Sequence, residues 1–345
     1  MLKIMQITHP RISIIFPSYN GVKFLERNLS SIKNLNNLDE IELVIVDNKS
    51  KDSTINVINS FANNININLV KNKSNEGFAE ACNCGVSSSC GEFVFITNQD
   101  VVFPPDFFNK ITKLYYKYRN DHEIVISPAL VFENGRIHYF GAKNHFLGFS
   151  YTPELGEKLP QNNIIKTTQR FSGGTLFIKK KYFLEMGGFD KEFFMYYEDT
   201  DLSLKILKNG NPIYTTNDPY LIHQKKYQTM NKMQYFFLER NRYLILLKNV
   251  SNLYKLLPII IVTEFILLFH SIFIKKFKLR LRIYMELLKK IKCYRNLRKI
   301  AKKENRLMPY QFLSRDLDPI LLGKLGKVKT FRKLLVFFNK FLKCV

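Results

Sequence analysis

Four short apolar runs, each cut off by polar residues, constrain this chain more than any other feature. Residues 12–16 (Ile-Ser-Ile-Ile-Phe) stop at Pro17, residues 41–46 (Ile-Glu-Leu-Val-Ile-Val) stop at Asp47 and Asn48, and two further runs cover residues 67–70 and 93–97. Runs of this length, rich in β-branched residues and bounded by turn formers, read as buried strands. Between the first two, Val22, Leu25, Leu29 and Ile32 recur at spacings of three and four, the stripe of a helix packed on a sheet. A second helix is expected after Asp52 and Ser53, whose side chains suit an N-terminal cap, and a third over residues 78–87. Helical crossovers of this kind join parallel neighbours, so the expected fold is α/β with a doubly wound, mostly parallel central sheet.

Ligands of such sheets bind beyond the carboxyl ends of the strands, where loops and helix N-termini converge. Three of those ends carry polar clusters: Pro17, Ser18, Tyr19 and Asn20; Asp47, Asn48, Lys49 and Ser50; and Asn98, Gln99 and Asp100. Pro104 and Pro105 then start a helix expected to run to Tyr118. From about residue 121 the pattern is mixed, with a strand expected at 124–127, Gly173 and Gly174 ahead of another at 176–179, and a turn at Gly187 and Gly188. An acidic helix start follows at Glu198, Asp199, Thr200 and Asp201, and a short extended stretch at 219–222 leads to His223.

An isolated Asp at a strand end most often serves as a turn residue. Two of them, Asp47 and Asp100, in one crevice are better suited to holding a ribose or a hard divalent cation that bridges two phosphates. Acids in the first turn of a helix stabilise its dipole, which accounts for Asp201. Glu198 and Asp199 exceed that need, and their mutual repulsion should raise one pKa toward a value useful to a general base, with Asp199 the better candidate. A lone His is more often structural than a ligand, and His223 carries both readings. Cys82 and Cys84, two apart on one helix, face different ways and read as packing residues.

Taken together, residues 14–21 (Ile-Ile-Phe-Pro-Ser-Tyr-Asn-Gly), 44–54 with Asp47 and Asp52, Asn75-Glu76-Gly77-Phe78, Asn98-Gln99-Asp100, Gly187-Gly188-Phe189-Asp190 and Glu198-Asp199-Thr200-Asp201-Leu202 resemble family 2 glycosyltransferases of the rhamnosyltransferase-like branch. The resemblance spans residues 12 to about 245. It implies a GT-A fold and inverting transfer from a nucleoside diphosphate sugar. Pro17, Ser18, Tyr19, Asn20 and Asp47 would hold the base and ribose, with Asn75, Gly77, Asn98 and Gln99 completing the donor site. Asp100 would bind Mg²⁺ or Mn²⁺ across the diphosphate; His223 as a second metal ligand comes from the reading of the residue itself and not from the resemblance. Asn98 stands where many relatives have Asp, which removes one carboxylate from the cation. Asp199 matches the catalytic base, Gly173, Gly174 and Glu198 the acceptor side, and Arg240-Asn241 a recurrent pair on the following helix.

The formal net charge of +24 would suit nucleic acid or an anionic membrane. Its distribution narrows the choice. Residues 275–345 hold 22 Lys and Arg against 4 Asp and Glu, leaving 31 against 25 for residues 1–274. Just before this tail, residues 256–274 are apolar and about long enough to span hydrocarbon, but Glu264 and His270 interrupt them, and a single span would carry the basic tail across. An interfacial helix is therefore expected. Basic amphipathic stripes follow, one through Tyr284, Leu287, Leu288, Ile291, Tyr294 and Leu297, the other through Phe331, Leu334, Leu335, Phe338 and Phe341. Nucleic acid would explain the charge but not the adjoining apolar run. The sequence thus predicts a catalytic domain over 1–250 (nucleotide-binding half 1–120, acceptor-side half 121–250) and a membrane-associating tail over 251–345. With no signal peptide read at the start, the expected place is the cytoplasmic face of the cell membrane, on an anionic surface met through 256–343, and the expected acceptor is a lipid-linked glycan. A non-catalytic nucleotide-sugar-binding or scaffold protein, or a basic nucleic-acid-binding module, is the alternative; neither has need of Asp47, Asp100 and Asp199 together.

Overall fold

The four apolar runs form the strands β1 (Ile12–Ser18), β2 (Ile41–Asp47), β3 (Ile67–Lys71) and β4 (Phe93–Thr97), separated by the helices α1 (Val22–Lys33), α2 (Thr54–Ser60) and α3 (Gly77–Ser87). The computed structural model describes residues 11–225, 230–310 and 313–314. Contacts within the chain divide it into two units, one of Met1–Ala142 with Glu154–Tyr227, the other of Lys143–Pro153 with Gln228–Val345.

In the first unit β4, β1, β2 and β3 lie side by side and all pair in parallel. Every residue of β2 is buried, as expected of a strand covered by helices on both faces. The pleat sorts the two sides: Ile14 and Phe16 pack with Leu25, Leu29 and Ile32 of α1 and with Phe107, Phe108 and Ile111 of α4 (Phe107–Tyr118). Ile15 points the other way, toward Ala79, Cys82 and Val86 of α3. Burial of each such side chain contributes about 1.5–3 kcal/mol.

The second half of this unit departs from the expected parallel sheet. After β5 (Val101–Val102) and α4 come β6 (Val125–Phe132), β7 (Ile137–Tyr139), β10 (Ile165–Thr167), β11 (Thr175–Lys179), α5 (Lys180–Glu185), α6 (Glu198–Lys208) and β12 (Ile213–His223); the short pair β8 (Lys143–Asn144) and β9 (Ser150–Tyr151) belongs to the second unit. The strand order is β10-β12-β6-β11-β4-β1-β2-β3, with β5 on β12 and β7 on β6. β11 runs antiparallel to both β4 and β6, so the sheet is mixed rather than mostly parallel. No helix lies between β6 and β11, and an antiparallel return needs no helical crossover. The stretch at 219–222 is the end of the 11-residue β12, hidden in the sequence by polar residues 215–218 and by Pro219 at a shift of register between Thr216 and Leu221.

The second unit is helical over its longer segment: α7 (Lys232–Asn249), α8 (Leu253–Phe273), α9 (Phe277–Lys289) and α10 (Ile291–Lys303). Asn231 caps α7 in a reciprocal box with Gln234. α8 is long and apolar enough to cross a membrane by length and composition. Its acid is not isolated, because Glu264 meets Arg242 of α7, Arg280 of α9 at 3.1 Å, and the hydroxyls of Tyr243 and Tyr284. Both guanidiniums are fully buried. The stripe expected through residues 284–297 is broken at Lys290, which separates α9 from α10 and leaves Tyr294 buried while Leu288 and Ile291 are exposed. Arg240 and Asn241 are buried within α7, Arg240 facing Glu286 at 3.5 Å. Phe331, Leu334, Leu335, Phe338 and Phe341 lie outside the described residues.

Candidate active site

The parallel strands deliver their polar ends side by side. Ser18 stands in register with Asp47 at the close of β1 and β2, Pro17 beside Val46 just before it. Ser18 Oγ donates to Gln99 Oε1 at 2.7 Å, which ties β1 to the segment after β4. The same oxygen accepts from the Tyr19 amide, and the Tyr19 ring is half exposed. Asn20 sits at φ 48° and accepts from the Lys51 amide, bracing the loop after β1 on the loop after β2. Asp47 is buried and receives the Ser50 amide on its two oxygens at 3.3 and 3.2 Å. Asn48 donates to the carbonyl of Gly77 at 3.0 Å, so the Asp47 loop is fastened to the start of α3. There Asn75 accepts from the Gly77 amide, and Gly77 has φ +83° with a carbonyl, that of Phe194, 2.4 Å from where a Cβ would stand. Only glycine fits that contact.

Asp100 follows at the junction of β4 and β5 and is almost wholly buried. Pairing of Val101 with His223 brings the end of β12 against it, and the Gln224 amide donates to the Asp100 carbonyl at 2.8 Å. Lys225 Nζ lies 2.6 Å from one carboxylate oxygen, and His223 Nε2 lies 3.3 Å from the other without hydrogen-bond geometry. Burial favours the neutral acid, but the adjoining His223 and the Lys225 ammonium outweigh it and hold Asp100 at about 2. The His223 ring stacks on that of His138 with centroids 4.7 Å apart. Burial, reinforced by the neighbouring His223, pushes His138 down to about 3, so the stack contains a neutral imidazole near pH 7.

Because β11 runs antiparallel to β4, its first residue, Thr175, pairs with the last of β4, Thr97. This places the loop before β11 at the same edge as Asp100. A Cβ on Gly174 would lie 2.6 Å from Asn98 Nδ2, and one on Gly173 would lie 3.2 Å from Glu198 Oε1 and 3.6 Å from Asp199 Cβ. The Gly173 amide donates to Asp199 Oδ2 at 3.2 Å, and Arg170 Nη1 meets the same oxygen at 2.6 Å. Asp199 Oδ1 accepts from the Thr200 amide. Glu198, beside it, has one orphaned oxygen. Burial first, then the charge of Asp199, pushes Glu198 up to about 8. The repulsion the sequence predicts between the two acids thus adds to burial in raising Glu198. Phe194, Tyr196 and Tyr197, just ahead of α6, all have positive φ, a strained approach that aims the acidic turn.

The edge therefore runs without a break from Asp47 through Ser18, Gln99 and Asp100 on one side and through Asn98, Gly174 and Gly173 to Asp199 on the other. Residues 13–187 match the family described as Glycosyl transferase family 2. The chain belongs to that family. An uncharacterized glycosyltransferase of Haemophilus influenzae is 27% identical over 217 residues, 62% of this chain and 66% of the relative. The matched part thus spans less than two thirds of that protein, and 34% and 60% of two further relatives. Among solved structures, S. aureus TarS residues 1–349 in complex with UDP-GlcNAc has a TM-score of 0.51 at 18% identity, covering 70% of this chain and 67% of that one. GalNAc-T7 with UDP, GalNAc and Mn²⁺ has a TM-score of 0.57 at 14% identity, covering 71% and 49%. Both similarities establish a GT-A-like α/β fold with a mixed sheet.

Three groups of this candidate site carry no sequence signal that singles them out. Arg170 lies 29 residues before the acid it holds. Lys225 reaches Asp100 only through the pairing of β12 with β5, and His138, on β7, reaches His223 only through the pairing of β7 and β12 with β6. Among the described residues no group of three or more His, Cys, Asp or Glu is placed to hold a metal. Two donors do meet: the buried Oδ1 of Asp100, which lacks a hydrogen-bond partner, and the Nε2 of His223; the carboxylate oxygen suits Mg²⁺ or Mn²⁺, and the imidazole favours the softer Mn²⁺ of the two. Such a cation would need the donor's phosphates to complete its shell.

Proposed function

We propose that this family 2 member is an inverting glycosyltransferase that moves a sugar, of the rhamnosyl type its motifs resemble, from a nucleoside diphosphate to a hydroxyl of a lipid-linked glycan. The observation that carries the reading is the continuity of the strand-end edge, in which Gly174 lies against Asn98 and Gly173 against Asp199. Pro17, Ser18, Tyr19, Asn20 and Asp47 take the base and ribose, with Asn75, Gly77, Asn98 and Gln99 behind them. Asp199 takes the proton from the acceptor hydroxyl as it attacks the anomeric carbon; Arg170 and the Gly173 amide on one oxygen, and Thr200 on the other, fix the orientation of its carboxylate. Glu198, held neutral near pH 7, can donate a hydrogen bond on the acceptor side without adding a second charge. A divalent cation held by Asp100 and His223 would supply stabilisation of charge on the departing diphosphate.

A membrane acceptor is supported by the second unit. Tyr254, Leu257, Ile261, Phe265, Phe269 and Phe273 of α8 are exposed, while its Glu264 is turned toward Arg242 and Arg280. Exposed Lys275 follows in the turn after α8, and Lys278, Arg282, Lys289 and Lys292 on the next two helices. An apolar face with a basic surround suits the interface of an anionic leaflet. The catalytic part accordingly occupies the N-terminal 250 residues and the docking part the rest, at the cytoplasmic face.

The test offers UDP-, GDP- and dTDP-sugars with Mg²⁺ or Mn²⁺ and a polyprenyl-linked glycan in phosphatidylglycerol vesicles. Cation-dependent release of one nucleoside diphosphate, with an inverted anomeric centre by NMR, is expected. A retained anomer removes the inverting mechanism, and failure of the protein to float with the vesicles removes the membrane assignment alone.

A further inference from the structure

Asp100 is met by a cation that belongs to the chain itself. Lys225 Nζ stands 2.6 Å from Oδ2, and Lys225 follows His223 by two residues at the end of β12. Its backbone is anchored, because the preceding Gln224 bonds the Asp100 carbonyl through its amide and the Phe24 carbonyl through its side chain at 3.0 Å. The side chain is different. It is 51% exposed, while the carboxylate it serves is 2% exposed, and its ammonium also lies 5.5 Å from the centre of the Phe24 ring. A long flexible stem on a fixed base, ending in a half-solvated charge, can exchange partners over several ångströms at little cost.

A divalent cation on one oxygen of Asp100 would repel the ammonium on the other. The lysine lies against one oxygen of Asp100, with the other oxygen beside His223. A nucleoside diphosphate brings two or three negative charges to this edge, and Asp100 would repel them unless positive charge lies between. We propose that Lys225 is a placeholder cation: it neutralises Asp100 until nucleotide and divalent cation bind, and then passes to the donor's diphosphate. This rests on the nucleotide-sugar reading of the site and adds a residue and an order of events to it. Lys225 would thereby oppose binding of a divalent cation alone and favour binding of the cation with a diphosphate. It also follows that Asp100 never stands as a buried unpaired charge, a state that is strongly destabilising when a partner is removed.

The opposing signs make the test selective. Lys225→Met keeps the stem and removes the charge, and Lys225→Arg keeps the charge. Calorimetric titration of the full chain would measure Mn²⁺ alone, and then UDP, GDP or dTDP, whichever the wild type binds best, at saturating Mn²⁺. For K225M the expected outcome is Mn²⁺ binding tighter by about threefold or more and nucleotide binding weaker by about tenfold, the scale of one charge-assisted contact. K225R should stay near wild type in both. Weakening of both affinities in K225M would reduce the lysine to a structural support, and no change in either would remove it from the site. A wild type that binds no nucleoside diphosphate would overturn the donor reading itself and the diphosphate half of the inference, while the titration with Mn²⁺ alone still decides the competition at Asp100.

Discussion

The carboxylates at the two ends of the strand-end edge are held by opposite means. Asp47 is satisfied by the Ser50 amide three residues away, inside one loop. Asp199 depends on Arg170, a buried guanidinium contributed from 29 residues upstream. The first arrangement comes with the strand-to-helix turn that carries it; the second exists only when β11, α6 and the loop before β11 have docked. On the proposed assignment, the donor side is thus built on local structure and the proposed base on tertiary structure. Changes that leave the donor side intact should still be able to disarm the acceptor side.

Arg170→Ala sharpens this contrast most. It leaves Asp199 buried without its cation, a loss of about 3 kcal/mol or more by comparison with other broken buried pairs. We expect kcat to fall by roughly a hundredfold or more and the unfolding midpoint in urea to drop, while the KM for the donor changes little. A rise in donor KM with kcat preserved would show that the two sides are not separable in this way.

A smaller effect is expected from Glu198→Gln. Glu198 is raised by burial and by Asp199 to about 8, above its ordinary value of 4.5. The folded chain therefore binds more protons at this position than the unfolded chain between those two pH values. The stability it contributes is complete below about 4.5 and is lost as pH rises to about 8. Glutamine cannot ionise, so the variant should match the wild type near pH 5 and exceed it at pH 8.5. Melting curves at both pH values check this; an advantage of about 1 kcal/mol would appear as roughly 2–4 °C for a unit of this size. Equal differences at the two pH values would mean that Glu198 is ionised throughout.

The same division explains which parts of the molecule are legible in the sequence. The runs ending at Pro17, Asp47 and Thr97 state their periodicity within a few residues, and the structure adds only their order. β12 is obscured because its centre, Thr-Thr-Asn-Asp, is satisfied by tertiary partners such as the Ile164 amide, which donates to Asn217. The antiparallel course of β11 has no local signature, since direction is set by what precedes a strand rather than by its residues. Asp199 is conspicuous among three acids at a helix start, whereas Arg170 is one arginine in a polar stretch and acquires meaning only through its 2.6 Å contact. In the second unit, Glu264 looks like a defect in an apolar segment until Arg242 and Arg280, from helices on either side in the chain, are seen to meet it.

The most direct measurement pairs turnover with binding in Asp199→Asn. With the donor and cation that the wild type uses, the variant should bind the nucleoside diphosphate within about twofold of the wild type and lose turnover by roughly 10²- to 10⁴-fold, the range for removal of a general base. Turnover close to that of the wild type would contradict the assignment of Asp199 as the acid–base group and, with it, the mechanism built on the shared strand-end edge.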